Sequence, residues 1–152
     1  MIGKVVSGGQ TGVDRAALDV ALEHGIPCGG WCPRGRLAED GPIPSRYPLV
    51  ETPTDRYPQR TEWNVRDSDG TLAIVRGHAR GGTAFTLRVA EAMRRPHRVV
   101  DLGVDPQAAD VRLWIAVHAI RTLNVAGPRE SDSPGIQAEA AAFLRQLLSD
   151  GR

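Results

Sequence analysis

A chain of 152 residues is long enough to bury a hydrophobic core and is expected to form one domain, 1–152. Its 41% hydrophobic and 24% charged residues exclude a disordered chain, and no apolar run approaches the roughly 20 residues of a bilayer-spanning helix. A net charge of +1 and 5% aromatic residues argue against a surface built to hold nucleic acid.

The N-terminal stretch shows no charged-then-apolar signal pattern, and Cys28 and Cys32 alone cannot staple a chain of this size. A reduced, cytoplasmic setting is the expectation. Met1–Val6 reads as a buried strand running into Ser7-Gly8-Gly9. Val13–His24 carries the apolar stripe of a helix through Val13, Ala17, Val20 and Ala21, and Gly25 and Pro27 end it. A short strand is predicted within Ile26–Gly30. Residues 31–60 form an irregular excursion holding six of the 11 prolines, with Arg34, Arg36, Arg46, Arg56 and Arg60 among them. It is expected to contain one short strand at Pro48–Glu51.

Regular alternation follows. A short helix around Thr61–Arg66 precedes a strand at Thr71–Val75 and a helix at Thr83–Arg94. Arg98–Leu102 then reads as a strand, Ala108–Ile120 as a helix and Thr122–Ala126 as a strand. The last helix, Pro134–Leu148, is predicted to start behind Ser133 as its cap. Apolar strands alternating with helices give an α/β fold: a three-layer, Rossmann-like, mostly parallel sheet with helices on both faces.

In such a sheet ligands bind beyond the carboxyl ends of the strands, where three loops carry suitable chemistry. Ser7-Gly8-Gly9-Gln10-Thr11-Gly12 can turn backbone amides toward a phosphate, though it is neither G-x-G-x-x-G nor a P-loop. Thr11 and Asp14 also fit a capping box, and Asp14 would oppose an anion at that helix end, leaving the contacts to the loop amides, Gln10 and Arg15. Arg80-Gly81-Gly82-Thr83, with Thr86 one turn on, opens a helix whose first turn holds no acid, which makes it the best anion site in the chain. Gly127-Pro128-Arg129-Glu130-Ser131 puts an arginine fork and a carboxylate at the third loop. Each loop can also be read as a tight turn with a good cap and solvated charges.

Five motifs follow one another in the order S-G-G-Q-T-G-V-D-R-A-A-L-D, C-P-R-G-R-x-A-E-D-G-x-I-P, R-T-x-x-N-V-x-x-S-D-G-T, R-G-G-T-x-x-T and L-N-V-A-G-P-R-E-S. Across Ser7 to roughly Phe143 they resemble a family described as molybdenum-cofactor carriers. This is the circularly permuted YpsA-like branch of the SLOG superfamily, named for the SMF/DprA and lonely-guy proteins. The resemblance implies a Rossmann-like sheet, a pocket with the Pro-rich excursion in its wall, and a homo-oligomer, dimer or tetramer. It implies as ligand the molybdenum cofactor or a nucleotide, a small phosphorylated molecule, with no metal held directly by the chain. Matched to the family's motifs are Gly8, Gly9, Gln10, Thr11, Asp14 and Arg15, then Arg34, Gly35, Arg36, Glu39 and Asp40, then Gly81, Gly82, Thr83 and Thr86, and last Gly127, Arg129, Glu130 and Ser131. Of these, with Arg80 added from the loop itself, all but Asp14, Gly35, Glu39 and Asp40 are the expected binding residues. The lonely-guy branch, an N-glycosidic phosphoribohydrolase, carries P-G-G-x-G-T-x-x-E. Arg80-Gly81-Gly82-Thr83-Ala84-Phe85-Thr86-Leu87 lacks its proline, third glycine and glutamate. A hydrolase acting in the same pocket is the alternative, with Glu39, Asp40 and Glu130 as candidate catalytic carboxylates.

The remaining candidates have plain readings. Cys28, Cys32 and His24 lack the second ligand pair of a metal site. His78 lies in the loop before Gly81 and can touch a ligand. Trp31 and Trp63 flank the excursion, so packing and stacking on a ring are both open to them.

Overall fold

A computed structural model describes residues 1–149. Its elements run β1 (Lys4–Val6), α1 (Val13–Glu23), β2 (Cys28–Gly29), β3 (Trp31–Cys32), β4 (Leu37–Ala38), β5 (Gly41–Pro42) and β6 (Val50–Glu51). They continue with α2 (Tyr57–Arg66), β7 (Gly70–Val75), α3 (Gly81–Ala92), β8 (His97–Asp101), a 3₁₀ turn at Leu102–Val104, α4 (Ala108–Val117), β9 (Thr122–Ala126) and α5 (Ile136–Leu148).

Five strands form one parallel sheet in the order β2-β1-β9-β7-β8. The register pairs Val5 with Leu123 and Leu72 with Val125, so β1, β9 and β7 lie side by side at the centre. All six residues of β7 are buried, as expected of a strand covered on both faces. Helices α1, α4 and α5 bury one face. The buried alanines of α1 (Ala16, Ala17 and Ala21) face a core that includes Ile136, Ala140, Phe143, Leu144 and Leu147 of α5. Val65 of α2 packs with Val89 and Ala90 of α3 in a separate cluster. The expected α/β, three-layer, Rossmann-like arrangement is the one observed.

Several boundaries differ, each for a local reason. Helix α2 begins four residues earlier than predicted, at Tyr57, because Pro58 falls in its first turn, where a missing N–H costs nothing. Helix α4 stops at Val117: Ala119 adopts φ 51°, and the chain turns to sink Ile120 into the core. Helix α3 runs from Gly81 to Ala92 rather than Thr83 to Arg94, and Arg94 at φ 55° ends it. Helix α5 starts at Ile136, not Pro134, and its cap is Gly135 in the left-handed region, not Ser133. The capping box expected at α1 is absent as well. Gly12 is the cap residue, and no side chain bonds to that helix start from the cap position.

The excursion holds four two-residue strands in place of the one expected. Strand β3 pairs with β6, and β4 with β5. It packs on α1 through its own cluster of Cys32, Ile43, Tyr47 and Leu49 around Leu18. Both cysteines are free thiols.

Candidate functional site

The loops after β1, β7 and β9 meet at one sheet edge and enclose a cleft of about 490 Å³, within the usual range for a small-molecule site. Glycines bring the walls close. A Cβ on Gly127 would lie 2.4 Å from the Ile74 carbonyl, and one on Gly12 2.3 Å from that of Pro128. The β9 loop therefore packs directly on both β7 and the β1 loop.

One wall is the start of α3. Thr83 and Ala84 donate their amides to the Arg80 carbonyl, whereas the amides of Gly81 and Gly82 find no backbone acceptor among the described residues. The first turn holds no acid, and a Cβ on either glycine would meet nothing within 4 Å. This helix end is open to the cleft. Thr83 is buried beside it, while the Thr86 hydroxyl donates back to the Gly82 carbonyl at 2.9 Å. Arg80 forms no ion pair among the described residues.

Three more guanidinium groups line the cleft. Arg60 of α2 donates to the Gly8 carbonyl at 3.1 Å and stands 3.7 Å from Asp14. Arg76 is tied to Glu139, and Arg129 leans on Asp132 at 3.4 Å. Against these four cations stand two carboxylates, Asp14 and Asp132. Asp14 is buried in the first turn of α1. Burial pushes its carboxyl up to about 6, against the opposing pull of Arg60, the Gln10 and Gly8 amides and Arg15. The start of α1 is thus filled by the chain's own carboxylate, as its sequence led us to expect.

Of the residues singled out from sequence, Gly8, Gln10, Arg80, Gly81, Gly82, Thr83, Thr86, Gly127 and Arg129 line the cleft, and so does His78. The others lie elsewhere. Gly9 sits under the excursion, where a Cβ would collide with Leu49 and Ile43. The Thr11 hydroxyl accepts from the Glu130 amide at 3.2 Å. Arg15 grips Asp40 and donates to the Gly9 carbonyl. Arg36 donates to the carbonyls of Ile43, Pro44, Tyr47 and Leu49, and Arg34 to that of Pro53. Ser131 donates to Glu39 at 2.9 Å. Glu130 accepts from the amides of Gly135 and Gln137, which holds its carboxyl below the usual range.

The excursion was expected in the pocket wall, yet Arg60 is its sole residue among those lining the cleft. Trp31 and Trp63 stack on each other, edge to face at 4.7 Å, and Trp31 donates to Asp67. Glu39 and Asp40, considered as a catalytic pair, serve different partners: Glu39 accepts from Ser131 and stands 4.0 Å from Arg129, and Asp40 pairs with Arg15. Sequence reasoning passed over Arg60, Thr61 and Asn64, which share one side of α2 and all face the cleft. The R-T-x-x-N spacing was their available signal.

A model described as the circularly permutated YpsA SLOG family matches residues 5–148. The chain belongs to that family. A 1.45 Å crystal structure of a protein from Syntrophus aciditrophicus SB, named as a molybdenum carrier, superposes with a TM-score of 0.92. The two are 47% identical over 97% of this chain and 96% of that one. No curated protein matches the chain. Among the described residues, no helix is long and apolar enough to cross a membrane.

Proposed function

We propose that this member of the circularly permuted YpsA family is a binding or carrier protein for a phosphate-bearing, nucleotide-like or pterin ligand held in the cleft. The observation that carries the reading is the open start of α3. Two amides without backbone acceptors and an Arg80 without an ion pair, both among the described residues, meet an acid-free first turn there, with Thr83 beside them. Amides at a helix start bind anions because the helix dipole and the free donors act together. Arg60 and Arg129 extend the positive wall toward the remainder of a ligand.

The molybdenum cofactor fits this donor set. Its phosphate suits the α3 amides, and its oxyanionic metal group suits guanidinium donors. Among the described residues no three His, Cys, Asp or Glu side chains come together. A carrier reading is favoured over a hydrolase because none of Glu39, Asp40 and Glu130 lines the cleft: Asp40 and Glu130 serve structural partners, and Glu39 accepts from Ser131 and stands 4.0 Å from Arg129.

The test is calorimetry with inorganic phosphate and tungstate as probes, on wild type and Thr83→Glu. A carboxylate in the first turn of α3 is expected to abolish binding of both while thermal unfolding stays cooperative. Unchanged affinity in the variant would mean that the anion lies elsewhere.

A further inference from the structure

The anion reading gives no part to Asp14, although its side chain lines the cleft and is 8% exposed. Oδ2 accepts from the Gln10 amide at 3.2 Å and faces Arg60 Nη1 at 3.7 Å, too far for a hydrogen bond. No other hydrogen bond of good geometry reaches the carboxylate, although the Gly8 amide lies close enough to pull on it. No fully buried side-chain polar atom among the described residues lacks a partner, so Oδ1 keeps some exposure, and Asp14 lines the cleft.

An ionised carboxylate has about four acceptor positions. The chain fills Asp14's poorly, and its burial is incompletely compensated, as the raised carboxyl shows. The neighbouring amide side chains offer no relief. Gln10 Oε1 accepts from Thr11 and Glu39, and Asn64 is paired at both ends with the Trp31 backbone. The other cleft carboxylate, Asp132, is 68% exposed and paired with Arg129. Asp14 is therefore the buried carboxylate of this cleft. It repels a phosphate and gains most from a donor.

We propose that Asp14 reads a pair of adjacent O–H or N–H donors on the ligand. The cleft then takes a two-ended molecule, with a phosphate or oxyanion at α3 and a paired donor against α1. This rests on the anion reading above. Two sources supply the chemistry: the vicinal hydroxyls of a sugar, or the N–H and amino edge of a guanine or pterin ring.

The probes are GMP, IMP, which lacks the ring amino group, and 2′-deoxy-GMP, which lacks one hydroxyl. Binding of each is measured by calorimetry at neutral pH to wild type and Asp14→Asn, with inorganic phosphate alongside. Wild type is expected to bind GMP at least about tenfold more tightly than one of the two analogues, since a site built around a donor rejects a ligand lacking it. IMP as the weak partner assigns the ring edge, and 2′-deoxy-GMP assigns the sugar. In Asp14→Asn the gap is expected to close while inorganic phosphate still binds. Equal or absent binding of all three by wild type overturns the proposal, and so does a gap that survives in Asp14→Asn. Loss of inorganic phosphate binding in wild type overturns the anion reading instead. Should the variant fail to fold, the wild-type comparison of the three nucleotides decides alone.

Discussion

Arg15 and Asp40 meet as a two-pronged ion pair that ties α1 to the excursion, with Nη2 2.8 Å from Oδ1 and the arginine side chain 9% exposed. The arginine holds the Asp40 carboxyl below its ordinary value of 3.8, so this stabilisation is present above that pH and fades as pH falls below it. Asp40 itself is 49% exposed, which screens the pair. Asp40→Asn is expected to cost about 1 kcal/mol in urea unfolding, and Arg15→Ala about 2 kcal/mol because a buried stem and its bond to Gly9 are lost as well. Neither change should weaken phosphate binding. A loss of affinity in Arg15→Ala with unchanged stability would return this arginine to the ligand site.

The same pair shows where the sequence was legible and where it was not. The strands of the main sheet and the order of helices stood out because β7 and β9 are short buried apolar runs and α1 and α5 carry clear stripes. The free end of α3 was visible as two glycines before an acid-free turn. The arginines misled for a shared reason. A proline-rich excursion has few amide donors of its own, and its carbonyls must be satisfied by something. Arg36 supplies that need at four carbonyls. A sequence does not distinguish an arginine that binds a phosphate from one that binds its own backbone.

Two glycines should behave in opposite ways. Gly12 combines φ 83° with the Pro128 carbonyl 2.3 Å from a would-be Cβ, so Gly12→Ala needs both backbone strain and a shift of the β9 loop. A loss of about 3 kcal/mol or more is expected, or failure to fold. Gly82 sits in α3 with open space around it, and alanine suits a helix better by roughly 0.5–1 kcal/mol. Gly82→Ala should therefore melt at the same temperature as wild type or slightly higher. Chemical unfolding of both variants checks the pair.

Asp14 sets a pH dependence of the opposite sign to Asp40. Its folded carboxyl titrates at about 6 against an ordinary value of 3.8, so between those values the folded state holds a proton that the unfolded state has released. Its contribution to stability is fully present below about 3.8 and is lost as pH rises through about 6. Asp14→Asn removes this loss. The melting temperature of the variant minus that of wild type should rise across that interval and level off above it. A flat difference would mean that Arg60 compensates the carboxylate fully.

Glu130 separates a structural carboxylate from a catalytic one. It accepts from the Gly135 amide at 2.7 Å and the Gln137 amide at 3.0 Å, and Gln137 in turn accepts from the Gly12 amide at 2.9 Å. One side chain thereby caps α5 and fixes the partner that steadies the start of α1. Glu130→Ala is expected to cost about 1 kcal/mol, the usual value of a helix cap. These amides hold the carboxyl below its ordinary 4.5, so the contribution is present above that pH and is lost as pH falls. Because Glu130 does not line the cleft, the variant should bind inorganic phosphate with wild-type affinity. Calorimetry beside urea unfolding reads both quantities, and lost affinity at unchanged stability would restore Glu130 to the site.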